Sequence, residues 1–343
     1  MSPQAQKLLC RAGPSGSFDR AAEHLAEFCG LRTCDQTIRA VCHEQAGHLA
    51  DWLHTAPRAR AGLAAAAGAV ACQTDGTMVN TTATGWREMR LGLFAKREPG
   101  RPATPAEWDR RRLPPPTARV LFAGVQPAAP FGPRIRAWAR RLGIRDPTQV
   151  TGLADGADGI WKQMAVQLPG AAGVRDIFHA LEHVGACVPA VYGEGRAEAR
   201  RWQEPGREAL WNGGGSGIEA LIGRTRAAGR AGRKREALDG LRGYLRRQQE
   251  HRGYAERLGS GQSIGSGLVE GWCQQVIGKR LKQTGARWTI RRANRMATLC
   301  CALHGDTWKP YGDAVLNGPT SFHERTPQRR FLRFFLPVAR RTV

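Results

Sequence analysis

A mixed α/β fold is predicted from the order of hydrophobic patterns along the chain. An apolar run at 69–75 is followed by residues 86–96, where Met89, Leu91 and Leu93 alternate with Arg90, Gly92 and Phe94. Period two marks a half-buried strand, and the two segments pair across a turn. A third strand is expected near 120–125, a fourth ending at Asp155 and a fifth near 174–178, each followed by a helical stretch. The order βββ-α-β-α-β-α begins as a meander and continues as parallel crossovers.

Ahead of the sheet, residues 15–47 read as a helix-turn-helix. Ser17 suits the N-cap of a helix with Phe18, Ala21, Ala22, Leu25 and Phe28 on one face. Gly30 suits the left-handed turn that ends it. A second helix near 35–44 buries Ile38 and Val41 and offers Gln36, Thr37 and Arg39 to a major groove. An Ala-rich stretch at 61–71 leads into the first strand, which is expected to end at Asp75. Residues 98–117, rich in proline and containing Arg110, Arg111 and Arg112, read as a solvated loop. Pro133 suits the first turn of a helix over 133–142. Asp158 is a candidate N-cap for a helix over 160–167, and His179 begins the helix after the fifth strand. Residues 193–262 are polar, Arg-rich and interrupted by glycine, the pattern of an inserted helical subdomain. Glu270 then opens a helix for which Ser266 is the candidate N-cap. The expected modules are a helical segment at 1–60, a core at 61–192, the insertion at 193–262, the end of the core at 263–311 and a basic tail at 312–343.

Composition narrows the partner. The 343 residues carry a formal charge of +23 and a pI near 10.9, which points to a polyanion. No apolar run approaches the roughly 20 residues of a membrane span. The N-terminus lacks a signal-peptide core. Nine cysteines, an odd number with no Cys-x-x-Cys pair, fit reduced cytosolic thiols rather than a disulfide framework. Cys29, Cys34, Cys42 and His43 lie close in sequence but match no zinc spacing.

Three acidic residues carry the chemistry: Asp75 and Asp155, each followed by glycine after an apolar run, and Glu270 ahead of a basic stretch. Between 270 and 295 there are seven basic residues against one acid, Glu270 itself. Crowded carboxylates repel one another, and binding a hard divalent cation relieves the repulsion. Asp176 and His179, with His183 one turn on, form a second constellation; it lacks the further soft ligands that zinc needs. Lys279, Arg280, Lys282 and Arg287 follow Glu270 closely enough to meet a phosphate backbone.

Taken in order, Asp75-Gly76-Thr77, Gly85-Trp86-Arg87-Glu88, Asp155-Gly156-Ala157, Asp176-Ile177-Phe178-His179-Ala180-Leu181-Glu182-His183, Gly265-Ser266-Gly267-Leu268-Val269-Glu270-Gly271, Lys279-Arg280-Leu281-Lys282 and Arg287-Trp288 resemble the DDE transposases of the bacterial insertion-sequence group Kra-four, relatives of the Mutator-like superfamily. The resemblance runs from about residue 3 to residue 311. It implies an RNase H-like core with the ends of its first and fourth strands side by side, a helical insertion before the last acid, and DNA transposition. It assigns the metal-binding triad to Asp75, Asp155 and Glu270, with two magnesium or manganese ions, and a superfamily Asp-x-x-His element to Asp176 and His179. DNA contacts fall to Gln36, Thr37, Arg39, Lys279, Arg280, Lys282, Arg287 and Trp288. The partners it implies are element-end and target DNA, with a homodimer or higher assembly on them and no membrane. Phe178 stands where a tyrosine is usual. Met1 lies just ahead of the helix-turn-helix, so a truncated, non-catalytic DNA-binding derivative is one alternative; an RNase H-like nuclease or resolvase is the other.

Overall fold

The computed structural model describes residues 1–192, 197–226, 232–246 and 253–316. Three helices come first: α1 (Pro3–Ala12), α2 (Phe18–Cys29) and α3 (Asp35–Thr55). Ser17 caps α2 by accepting the Arg20 N–H at 3.2 Å, and Gly30 ends it at φ 62°. Both agree with the sequence reading. Two details depart from it. Helix α3 continues to Thr55, burying Ala46, Leu49 and Trp52 beyond the expected end. Phe28, assigned to the packed face of α2, is 73% exposed.

After α4 (Arg58–Ala65) come strands β1 (Ala69–Thr81), β2 (Gly85–Arg97) and β3 (Ala118–Val125). β1 runs antiparallel to β2 along its whole length, from Ala69 opposite Arg97 to Thr81 opposite Gly85. Gly85 turns the hairpin at φ 67°. Asp75 therefore lies in mid-strand, opposite Leu91, and not at a strand end. The apolar pattern stops at Asp75, but the backbone pairing does not. β2 is also more buried than its alternation implies: Met89, Leu91 and Leu93 pack on one face and Phe94 on the other.

Helix α5 spans Ala128–Arg141, beginning after Pro127 at the cap position, so Pro133 falls inside it rather than in its first turn. β4 (Val150–Ala154), α6 (Asp158–Gln167), β5 (Ala172–Arg175) and α7 (Ile177–Tyr192) follow. The sheet order is β3-β2-β1-β4-β5, with β4 parallel to β1 and β5 parallel to β4. The described part of the insertion is helical as expected: α8 (Ala197–Arg226), α9 (Arg233–Arg246) and α10 (Tyr254–Gly259). The chain then gives α11 (Gly267–Trp272), a π-helical turn (Cys273–Gly278), α12 (Lys279–Leu281), α13 (Ile290–His304), α14 (Trp308–Tyr311) and a closing π-helical turn over Gly312–Leu316. Most of the expected basic tail lies outside the described residues.

Three apolar clusters hold this together. One face of β1–β3, through Val79, Met89, Leu91, Leu93 and Leu121, packs on α3, α13 and the first π-helical turn. The opposite face, through Cys72, Phe94, Val120 and Phe122, packs on α5 and α6. Leu153 and Val174 of β4 and β5 pack on α7 and the insertion helices. Among the described residues no helix is long and apolar enough to cross a membrane.

Candidate active site

Alternation along β1 puts Gln73, Asp75 and Thr77 on one face. Gln73 Oε1 accepts the Val269 N–H at 3.1 Å, which seats α11 over that face and brings Glu270 to it. β1 and β4 pair in parallel as far as Gln73 opposite Leu153. Asp155 follows directly on Ala154, the last residue of β4, two residues beyond that final pair, as Asp75 is on β1. Asp155 is held by its own turn: Oδ1 accepts the Ala157 N–H at 3.0 Å, and its carbonyl accepts the Trp161 indole N–H at 2.7 Å. That first bond does part of the capping expected of Asp158, which is instead the first residue of α6.

Asp176 is fully buried. Its Oδ1 accepts the N–H groups of Phe178 (2.6 Å) and His179 (3.1 Å), so it caps α7, which starts at Ile177 and not at His179. Its Oδ2 accepts both the N–H and the hydroxyl of Ser266, the latter at 2.7 Å. The Ser266 hydroxyl is also 2.7 Å from Glu270 Oε1. Ser266 occupies the cap position of α11 but makes no side-chain cap bond; its hydroxyl bridges two carboxylates instead.

His179 stands between Glu182 (Nδ1 to Oε2, 3.2 Å) and Glu270 (Nε2 to Oε1, 3.8 Å). Burial opposes protonation, but Asp176, Glu182, Glu270 and Asp155 together outweigh it and hold the imidazole above its ordinary pKa. Cys273, one turn past Glu270, links the remaining acid. Burial first, then the neighbouring Asp75 carboxylate, pushes its thiol far up, and Glu270 adds to the effect. Lys282 donates to Thr77 Oγ1 at 2.9 Å, on the Asp75 face of β1. Asp75, Asp155, Glu270, Asp176 and His179 are thus drawn to one end of the sheet, with Lys282 as a nearby cation.

Sequence reasoning does not single out Tyr244. This insertion residue stacks on the His183 ring at 3.6 Å and lies under the Arg175 guanidinium at 4.3 Å. Its ring abuts Gly156, where a Cβ would come within 2.4 Å of it. The glycine after Asp155 is thus a packing glycine, and the Asp-Gly pair is the available signal.

The expected DNA contacts divide. Gln36, Lys279, Lys282 and Arg287 reach the surface to different degrees, with Arg39 at the cleft described below. Thr37 meets the Cys34 thiol at 3.2 Å. Arg280 and Trp288, expected to contact DNA, are instead buried. Arg280 Nε donates to the Gly13 carbonyl at 2.9 Å, and its guanidinium lies over Phe18 (4.4 Å) and Trp288 (4.9 Å). The Trp288 indole donates to the Leu281 carbonyl at 3.1 Å.

Among the described residues no three His, Cys, Asp or Glu side chains are already grouped as a ligand set. The donor chemistry of Asp75, Asp155 and Glu270, all carboxylate oxygen, nevertheless fits magnesium or manganese. No protein-family model matches the chain, and no curated protein matches it.

Proposed function

We propose that the chain is a DDE-type DNA transposase with an RNase H-like core, cleaving DNA at the ends of an insertion sequence and joining the released 3′ end to target DNA. The observation that carries the reading is the convergence at one sheet end. In the order β3-β2-β1-β4-β5, Asp75 lies on β1 and Asp155 just past the end of the neighbouring β4, and the Gln73–Val269 bond seats the Glu270 helix on the Asp75 face of β1. The basic charge of the whole chain suits a polyanionic substrate such as DNA.

Asp75, Asp155 and Glu270 would hold divalent cations, most simply two. When bound, such ions supply Lewis acidity at the phosphodiester and an activated water. The remaining roles fall to residues of the chain. Asp176 and Ser266 fix Glu270 and the first turn of α7. His179, between Glu182 and Glu270, offers a ring N–H to a phosphate oxygen. Lys282 adds positive charge on the Asp75 side. The assembly on DNA would be a homodimer or larger.

The test is strand cleavage of element-end DNA with magnesium, with manganese and with chelator. Metal-dependent nicking that Asp155→Ala abolishes supports the reading, and wild-type cleavage by that variant sinks it. Joined products separate a transposase from a nuclease or resolvase. Specific binding with no cleavage under any metal would leave a DNA-binding derivative.

A further inference from the structure

Away from the carboxylates, α2, α3, the tip of the β1–β2 hairpin and residues 280–292 enclose a cleft of about 520 Å³. The hairpin fixes its floor: the Trp288 N–H donates to the Asn80 carbonyl at 3.1 Å and the Thr82 N–H to the Trp288 carbonyl at 2.9 Å. Arg39 of α3, Arg287 of the loop and Arg292 of α13 line it, and Arg280 forms its buried wall. Among the described residues Arg39, Arg287 and Arg292 form no ion pair. The two carboxylates in the lining, Asp19 and Asp35, likewise pair with none of these arginines. His43 also lines the cleft. It is only 8% exposed, and neither of its ring nitrogens has a hydrogen-bond partner.

Three guanidinium groups free of ion pairs thus lie beside a buried imidazole with an unused N–H, a donor set that matches an oxyanion. A buried polar group without a partner is destabilising, and an oxyanion accepting from His43 would remove that cost while neutralising the arginines. We propose that this cleft holds a phosphodiester of a nucleic-acid backbone, at His43, Arg39, Arg287 and Arg292, separate from the carboxylate centre. The choice of nucleic acid over free phosphate rests on the function proposed above. It also draws on α3 itself, whose stripe at Gln36, Ala40, Glu44, His48 and Asp51 carries two acids and no arginine. Beyond its first turn, α3 therefore meets DNA through the Arg39–His43 side. The neutral state of His43 agrees: burial and then Arg292, Arg295, Arg280 and Arg39 pull its pKa down to about 4, so it enters as a neutral N–H donor.

The test uses the full chain in chelator, where cleavage is silent. Duplex DNA binding is followed by anisotropy across a salt series for wild type, Arg39→Gln, Arg287→Gln and Arg292→Gln. The His43 ring resonance, assigned with His43→Gln, is followed on adding DNA or inorganic phosphate. The cleft is supported when DNA moves the His43 resonance and each arginine variant, still folded by its melting curve, flattens the salt slope by about one unit. A resonance moved by phosphate and not by DNA overturns the nucleic-acid assignment. A resonance moved by neither, or slopes equal to wild type, overturns the site. Because no step depends on metal, a chain that never cleaves DNA can pass this test, and one that cleaves can fail it.

Discussion

Asp176 and Ser266 are joined twice: one buried carboxylate oxygen of Asp176 accepts both the backbone N–H and the hydroxyl of Ser266. Far apart in sequence, they tie the end of β5 to the helix that carries Glu270. Asp176→Ala removes the acceptor of these two bonds and of the two α7 cap bonds. Hydrogen bonds to a charged group contribute about 1.5–3 kcal/mol each and do not add fully, so a loss of roughly 3–5 kcal/mol is expected in urea unfolding. Asp176→Asn keeps an acceptor for the cap but can turn an amide N–H toward Ser266. It should destabilise less and speed hydrogen exchange selectively at 266–272. Uniform exchange across the chain would contradict the link.

Gly156 and Tyr244 make a second checkable pair. A methyl at 156 collides with a ring that His183 and Arg175 hold from other sides, so Gly156→Ala should cost about 1–3 kcal/mol, the range for overpacking. Tyr244→Ala in the same chain should recover part of that cost. Strict additivity in a double-mutant cycle would refute the contact.

These two pairs mark the limit of what is legible in the sequence. Local signals are legible: Ser17 as a cap, Gly30 as the left-handed stop, and the apolar runs as strands. Tertiary choices are not. Asp75 looks like a strand end because the apolar pattern stops there, while hairpin pairing, which no side chain announces, carries β1 on to Thr81. Arg280 looks like a surface cation because its neighbours are charged; only the arrival of Phe18 and Gly13 from the N-terminal helices buries it. Tyr244 reaches Gly156 from a distant helix, and periodicity carries no information over such a span.

The split among the basic residues after Glu270 is measurable. Lys279→Gln and Lys282→Gln should weaken binding to all DNA sequences and flatten the salt dependence by about one unit for each phosphate no longer neutralised. Arg280→Gln should behave differently. It abandons the Gly13 carbonyl and two aromatic faces, so melting falls while the salt slope per folded molecule is unchanged. A slope change with full stability would return Arg280 to the DNA surface.

The depressed pKa of His43 gives a pH dependence with a definite sign. Its folded value of about 4 lies below the ordinary value of 6.5. Between those values the unfolded chain binds the extra proton, so stability rises with pH through the window and is lost as pH falls from about 6.5 toward 4. The limiting slope is about 1.4 kcal/mol per pH unit. Urea midpoints of wild type should drop across this window more than those of His43→Gln. Parallel curves would mean that His43 accepts its proton without penalty.

His179 separates a chemical role from a structural one. Its ring is half-exposed and pairs with Glu182 and Glu270, whereas the helix start it occupies is held by Asp176 through backbone N–H groups. His179→Ala should therefore leave the melting temperature nearly unchanged. If the ring donates to a phosphate oxygen, cleavage of element-end DNA should fall by on the order of tenfold to a thousandfold, the cost of one missing electrostatic donor. His179→Gln, which retains a neutral N–H donor at similar reach, should recover part of the activity. A variant that melts early and cleaves normally once folded would make His179 structural, and the phosphate donor would then be sought at Lys282.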